Sequence, residues 1–246
     1  MNPAIALLRD GLDKWKVPLS DRQIGLFAQF CDLLMEGAKR LSLTSLRQPD
    51  EITLFHFLDS LAPVAFGIIG ERGSLIDVGS GAGFPGLPIA IMKNEIAVTL
   101  CEARKKKVEF LNLVVHHLGL KNVRVLWERA ETAARSEAHR ECYDIAVSRA
   151  FGPVAVTLEC TVPFVVVGGR VAIYGGPTLV KESELMKGLA SLLGGRLERL
   201  LEYALPLTDR RRTLAVVVKE GATDRRYPRR AGIPKKRPLR PARKQS

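Results

Sequence analysis

The chain has 246 residues, 46% of them hydrophobic and 26% charged, with a formal net charge of +12. That length and balance suit one α/β domain with a full core plus an added element, and they exclude a disordered or fibrous chain. No stretch reaches about 18 uninterrupted apolar residues, and no basic segment leads into an apolar run near the N-terminus, so neither a membrane span nor a signal peptide is predicted.

Taken in order, residues 3–16 are predicted to form a short amphipathic helix, with Ile5, Leu8 and Leu12 on one face. Ser20-Asp21 is a helix start, followed by Ile24, Phe27, Cys31 and Leu34 at helical spacing, with an end expected near Gly37. Residues 41–48 read as a polar loop. Pro49, Asp50 and Glu51 open another helix, whose apolar face is expected to hold Ile52, Phe55, Leu58 and Leu61, widened by Phe57. Residues 1–70 therefore read as a helical cap.

From Ser74 strands and helices alternate. Strands are predicted at Leu75–Val78, Ala97–Glu102, Val123–Trp127, Tyr143–Val147 and Gly169–Tyr174. Helices follow them at Gly86–Met92, from Val108 to a stop at Gly119, at 129–140, at 153–164 and at 179–193. Two further strands, Arg199–Leu205 and Thr213–Lys219, are joined by a polar turn with no helix between them. Alternation implies a parallel, doubly wound sheet, and the final pair implies a last strand antiparallel to the rest. The expected fold is thus α/β: a Rossmann-like, class I methyltransferase sheet of seven strands, mostly parallel with an antiparallel strand near the end, plus the helical cap. The domain expected to bind the ligand spans residues 71–220, and the remainder, 221–246, is a basic tail. Residues 219–246 hold eleven Lys or Arg against two acids, which leaves a net charge of +3 for the first 218 residues. Such a segment points to a polyanionic partner.

The organising stretch is Ser74–Met92, SLIDVGSGAGFPGLPIAIM: strand, glycine turn, helix. Glycine reaches positive φ and lets a ligand lie on bare backbone, and the helix start adds free N–H groups. Gly81-x-Gly83-x-x-Gly86 fits a dinucleotide turn, Asp77-x-Gly79-x-Gly81-x-Gly83 fits the S-adenosylmethionine (SAM) turn of methyltransferases, and a purely structural turn is the third reading. A dehydrogenase continues into a second domain, for which the last 27 residues lack hydrophobic content.

Under the SAM reading, Gly79, Gly81 and Gly83 lie against the methionine part. Glu102, followed by Ala103, ends the second strand about 20 residues after the glycines, where a ribose-binding acid is expected; a helix-capping acid is the alternative. Ala130 and Glu131 follow the third strand, where a backbone N–H and an acid meet an adenine edge. Arg149, in Ser148-Arg149-Ala150 after the fourth strand, can fork onto a carboxylate or phosphate and is the candidate catalytic residue. The histidines form no catalytic dyad, and His56 reads as packed. Cys31, Cys101, Cys142 and Cys160 are too scattered for a metal clip or redox pair and fit reduced core thiols of a cytoplasmic protein.

Over nearly its whole length the chain resembles the bacterial small-subunit (16S) rRNA methyltransferases that modify a guanine N7, the glucose-inhibited-division B family. The resemblance is carried by Leu43-Thr44-Ser45 with His56-x-Leu58-Asp59-Ser60-Leu61, by IDVGSGAGFPGLP at Ile76–Pro88, by Arg104–Leu111, by Arg129-Ala130-Glu131, by VSRA at Val147–Ala150, and by the ending YPRRAGIPKK at Tyr227–Lys236. Phe55 departs from it, since many relatives carry Arg before the His. The resemblance implies SAM contacts at Gly79, Phe84, Ala130, Glu131 and Arg149, of which Phe84 comes from resemblance alone. It implies 16S rRNA or a small-subunit precursor as partner, the family's target being the guanine at nucleotide 527. It also implies a monomer needing neither metal nor membrane. The tail, with Arg104, Lys105, Lys106 and Lys107, would hold RNA phosphates; those four residues could equally decorate a helix. A methyltransferase of small molecules or proteins, or a non-catalytic RNA-binding protein of the same fold, remains as an alternative.

Overall fold

Residues 3–240 are described by the computed structural model. Strands β1 (Gly73–Val78), β2 (Ile96–Glu102), β3 (Val123–Trp127), β4 (Tyr143–Arg149), β5 (Val165–Gly175), β6 (Gly195–Ala204) and β7 (Arg211–Lys219) form one sheet in the order β3-β2-β1-β4-β5-β7-β6. The pairs β1/β4, β2/β3 and β4/β5 are parallel, and β7 runs antiparallel to β5, as the missing helix between the last two strands predicts. Apolar runs set these strands, and β1 and β4 are buried over most of their length. The chain divides into two compact units. One holds residues up to Gly73, Ser80–Trp127 and Ala204–Arg210; the other holds Ser74–Gly79, Glu128–Tyr203 and the chain from Arg211.

The first unit contains α1 (Pro3–Lys14), α2 (Asp21–Arg40), α3 (Pro49–Ile52), α4 (Ala62–Ala65), α5 (Gly86–Met92) and α6 (Lys105–His117). Ser20 caps α2 in a reciprocal box with Gln23. The Gln23 amide then donates to the carbonyls of Ile91 and Met92, satisfying acceptors at the end of α5. α2 runs three residues past Gly37. That glycine is not a stop: a Cβ there would lie 2.7 Å from the Phe110 ring, so the absent side chain lets α6 approach. Thr53–Leu58 is a π-helical segment continuing α3. Its wider turn rotates the expected face, so that Phe57 and Leu58 are buried while Phe55 is only half-buried. Phe27, Phe30 and Phe57 form the aromatic centre of this unit, with centroids 5.2–5.3 Å apart.

The second unit carries α7 (Ala130–Ala133), α8 (Val154–Thr161), α9 (Ser183–Leu192) and α10 (Ile233–Lys236). The helix expected over 129–140 shrinks to α7, because the chain beyond it turns to aim Arg140 at main-chain oxygens: Ala134 O at 3.2 Å, Tyr227 O at 2.8 Å and Thr223 O at 2.6 Å. Lys219, fully buried, is paired with Glu141 at 3.0 Å and donates to Val162 O and Thr223 Oγ1. Burial depresses its pKa, against the pull of Glu141. The described part of the basic tail is held down. Arg135 donates to Pro228 O, Arg229 grips Glu159, and Pro228 and Pro234 are buried. Arg225, Arg226, Arg230, Lys235, Lys236, Arg237 and Arg240 stay exposed. Residues 241–246 of the expected tail lie outside the described residues. Cys31, Cys101 and Cys160 are buried, and burial with Asp32 and Asp50 nearby pushes the Cys31 thiol up to about 11, whereas Cys142 is exposed.

Candidate functional site

Five of the nine candidate site residues fall in the first unit. Three of them, Gly81, Gly83 and Phe84, lie in the glycine turn, which closes on itself through hydrogen bonds from the Gly83 and Phe84 N–H groups to Ser80 O, at 2.8 and 2.9 Å. Gly81 and Gly83 have φ of +61° and +100°, a region closed to most side chains. The fourth, Glu102, reaches this turn. Its Oε2 accepts the Gly81 N–H at 3.0 Å and its Oε1 accepts the Arg104 N–H at 2.8 Å. Arg104 is the N-cap of α6 and the helix has no side-chain cap, so Glu102 is not the helix-capping acid; its buried carboxylate joins the glycine turn to the residue before the helix, and each oxygen keeps a lone pair for a further donor. Ala103, the fifth, is exposed, and its carbonyl accepts the Trp127 indole N–H at 3.2 Å.

Phe84 is buried. Its ring stacks on His56 at 4.5 Å and on Phe30 at 5.3 Å between centroids. His56 in turn shares a 2.7 Å hydrogen bond with Thr44 Oγ1. The two halves of the N-terminal signature thus meet each other and the glycine turn, and His56 is packed, as the sequence indicates. Phe55, beside it, carries a guanidinium: Arg210 Cζ sits 4.4 Å from its ring centroid. No local pattern could have paired residues so far apart in the chain. Arg104, Lys105 and Lys106 are exposed, and Lys105 lies 5.9 Å from the Trp127 ring.

The second unit holds the other four residues. Gly79 ends β1 with φ +76°, and a Cβ there would lie 2.4 Å from the Phe151 ring. Arg149 ends the adjacent β4. Ser148 Oγ ties that strand to β1 by donating to Val78 O at 2.9 Å. Gly79 and Arg149 therefore stand at the carboxyl ends of neighbouring strands, at the point where strand order reverses. Ala150 then turns the chain at φ +55°, a strained value for a residue with a side chain. Phe151 was missed by the sequence reading; its signal would have been an aromatic two residues after the strand-end Arg.

Ala130 and Glu131 open α7 and are buried. Glu131 Oε1 accepts from Arg129 at 3.1 Å and from the Gly232 N–H at 2.8 Å. Burial raises the pKa of this carboxyl. The hydrogen bonds from Gly232, from its own backbone and from Arg129 outweigh that effect and hold it below the ordinary carboxylate value. This side chain anchors the C-terminal segment, a role that local sequence did not suggest. Among the described residues there is no cluster of three or more His, Cys, Asp or Glu able to hold a metal, and no helix is long and apolar enough to cross a membrane.

The donors present suit SAM. The turn supplies main chain at positive φ without side chains, a buried carboxylate with spare acceptor capacity follows it, and an Arg stands at the switch point. A family profile described as rRNA small subunit methyltransferase G matches residues 23–208. The chain is 38% identical over 234 residues to the ribosomal RNA small subunit methyltransferase G of Clostridium botulinum (strain 657 / Type Ba4), covering 95% of this chain and 98% of that one. It is 38% identical over 232 residues to the protein of the same name from Pelotomaculum thermopropionicum, covering 94% and 97%. The fold is similar to a crystal structure described as a predicted O-methyltransferase from Agrobacterium tumefaciens, with a TM-score of 0.51 and 19% identity over 67% of this chain and 80% of that one.

Proposed function

Because the chain belongs to the rRNA small subunit methyltransferase G family, we propose that it transfers the methyl group of SAM to 16S rRNA of the small ribosomal subunit, at N7 of the guanine at nucleotide 527. The structural observation that supports this reading is the hydrogen bond from the Gly81 N–H to the Glu102 carboxylate, which holds the proposed ribose-binding acid beside the glycine turn.

When bound, SAM supplies an electrophilic methyl on a sulfonium. The chain's own part is binding and orientation. Gly79, Gly81 and Gly83 offer bare main chain to the methionine portion. Glu102, already fixed by two backbone donors, accepts from ribose hydroxyls. The main chain at Ala130 and Glu131 lines the adenine side, while the Glu131 carboxylate keeps that turn in place. The Arg149 fork holds a carboxylate or phosphate at the end of β4. Guanine N7 has a free lone pair, so no side chain need remove a proton. Positioning of this kind supplies on the order of 7–11 kcal/mol at best. The purine is unstacked to reach the site. The exposed cations of 225–240 and Arg104–Lys106 meet the phosphates, which makes binding salt-dependent. The protein acts as a monomer in the cytoplasm, where subunits are assembled.

The test is to map 7-methylguanine in 16S rRNA from cells with and without this protein, and to add purified protein and labelled SAM to the unmodified subunits. One methylated guanine lost in the first arm and restored in the second is expected. Identical methylation in both cell lines overturns the reading.

A further inference from the structure

Arg210 is an exposed arginine held by an aromatic ring. Among the described residues its guanidinium makes no hydrogen bond or ion pair; its one recorded partner is the Phe55 ring, 4.4 Å away. The backbone around it is fixed. Leu205, which is buried, donates its N–H to Arg210 O at 2.9 Å, and Thr208 Oγ1 accepts the Arg210 N–H at 3.1 Å. Phe55 is fixed as well, because it lies inside the π-helical segment between buried Thr53 and Phe57. An exposed Arg normally spreads over many rotamers and binds weakly for that reason. This one sits 4.4 Å from a ring centroid, and among the described residues all five of its N–H donors remain unspent.

We propose that Arg210, seated on Phe55, is a substrate-binding residue that grips a phosphodiester of the RNA strand entering the methyl-transfer site. A flat fork with free donors fits two phosphate oxygens better than it fits a lone ammonium's partner. The location supports the assignment. Phe55 precedes His56, whose ring stacks on Phe84 of the glycine turn, so the grip is built on the same short segment that packs against the cofactor loop. This inference deepens the rRNA reading above and rests on it for the identity of the anion.

The test combines binding and turnover. Filter binding of unmodified 16S rRNA is measured across a salt series for the wild type and for Arg210→Ala, Arg210→Lys and Phe55→Leu, alongside steady-state methyl transfer. Arg210→Ala should raise the Kd and KM for RNA about tenfold and lower the slope of log affinity against log salt by about one. The effect should fall on KM rather than kcat, with SAM affinity and melting temperature unchanged. Arg210→Lys should restore the salt slope but only part of the affinity, and Phe55→Leu should weaken RNA binding with the charge still present. Equal Kd and slope in Arg210→Ala and wild type overturn the proposal. Wild-type protein that binds RNA but transfers no methyl overturns the methyltransferase reading alone, and the Arg210 slope still decides the contact.

Discussion

Arg229 closes on Glu159 from 70 residues away, with Nε on one carboxylate oxygen at 2.8 Å, Nη2 on the other at 2.7 Å and the Arg229 backbone N–H adding a third bond at 2.9 Å. The Glu159 side chain is 0% exposed. A buried carboxylate stripped of its partner is costly, so Arg229→Ala should lose about 3 kcal/mol of stability and release the C-terminal segment to protease. The double change Arg229→Met with Glu159→Leu should recover most of that loss, since replacing both charges removes the desolvation problem. Urea unfolding and limited proteolysis read both. A single variant as stable as wild type would show the pair to be incidental.

Gly79 tests whether the turn is shaped for a ligand or for its neighbour. Gly79→Ala puts a Cβ against Phe151 and forces a side chain into positive φ, at roughly 1–2 kcal/mol. SAM affinity by calorimetry should fall at least tenfold. Adding Phe151→Ala relieves the collision and should restore part of the stability but not the affinity. Wild-type affinity in the double variant would mean the glycine serves only the phenyl ring.

Arg149→Ala is expected to lower kcat/KM at least tenfold, the size of one lost charge-assisted hydrogen bond at about 1.5–3 kcal/mol. Arg149 is half-buried at a strand end, so the melting temperature should change little. Normal turnover in this variant removes Arg149 from the site.

Glu131 gives an acid-sensitive link. Burial alone would raise its pKa, yet the bonds from Gly232, its own backbone and Arg129 leave it lowered in the folded state. A carboxyl with a depressed folded pKa stabilises fully above its unfolded value and loses that contribution as pH falls through the folded value. Wild type should therefore be more stable than Glu131→Gln at pH 7, and the gap should close below about pH 4. Thermal melts of both proteins across that range measure it; a gap constant with pH would assign the stabilisation to packing.

Apolar runs of strand length gave β3 its observed ends, and the helix-free connection between the last two strands gave β7 its reversed direction. The placement of Glu102 beside the glycine turn was legible because its distance from the glycines is fixed by one βα unit. Other features depend on partners remote in the chain. Gly37 looked like a helix stop until Phe110 was placed beside it. Phe55 looked like core until the π-helical turn rotated it toward Arg210. The charge-rich ending read only as a basic tail for a polyanion, because charge counts do not record that Glu159, Glu131 and Arg140 hold it.

Of the four thiols, Cys142 alone faces water, and it sits two residues from the arginine that clasps the Thr223 and Tyr227 carbonyls. A maleimide dye should therefore mark the wild-type protein at a single place without prior cysteine removal. Its emission would report, in real time and at one molecule per reading, whether the chain end is seated while ribosomal RNA arrives and leaves.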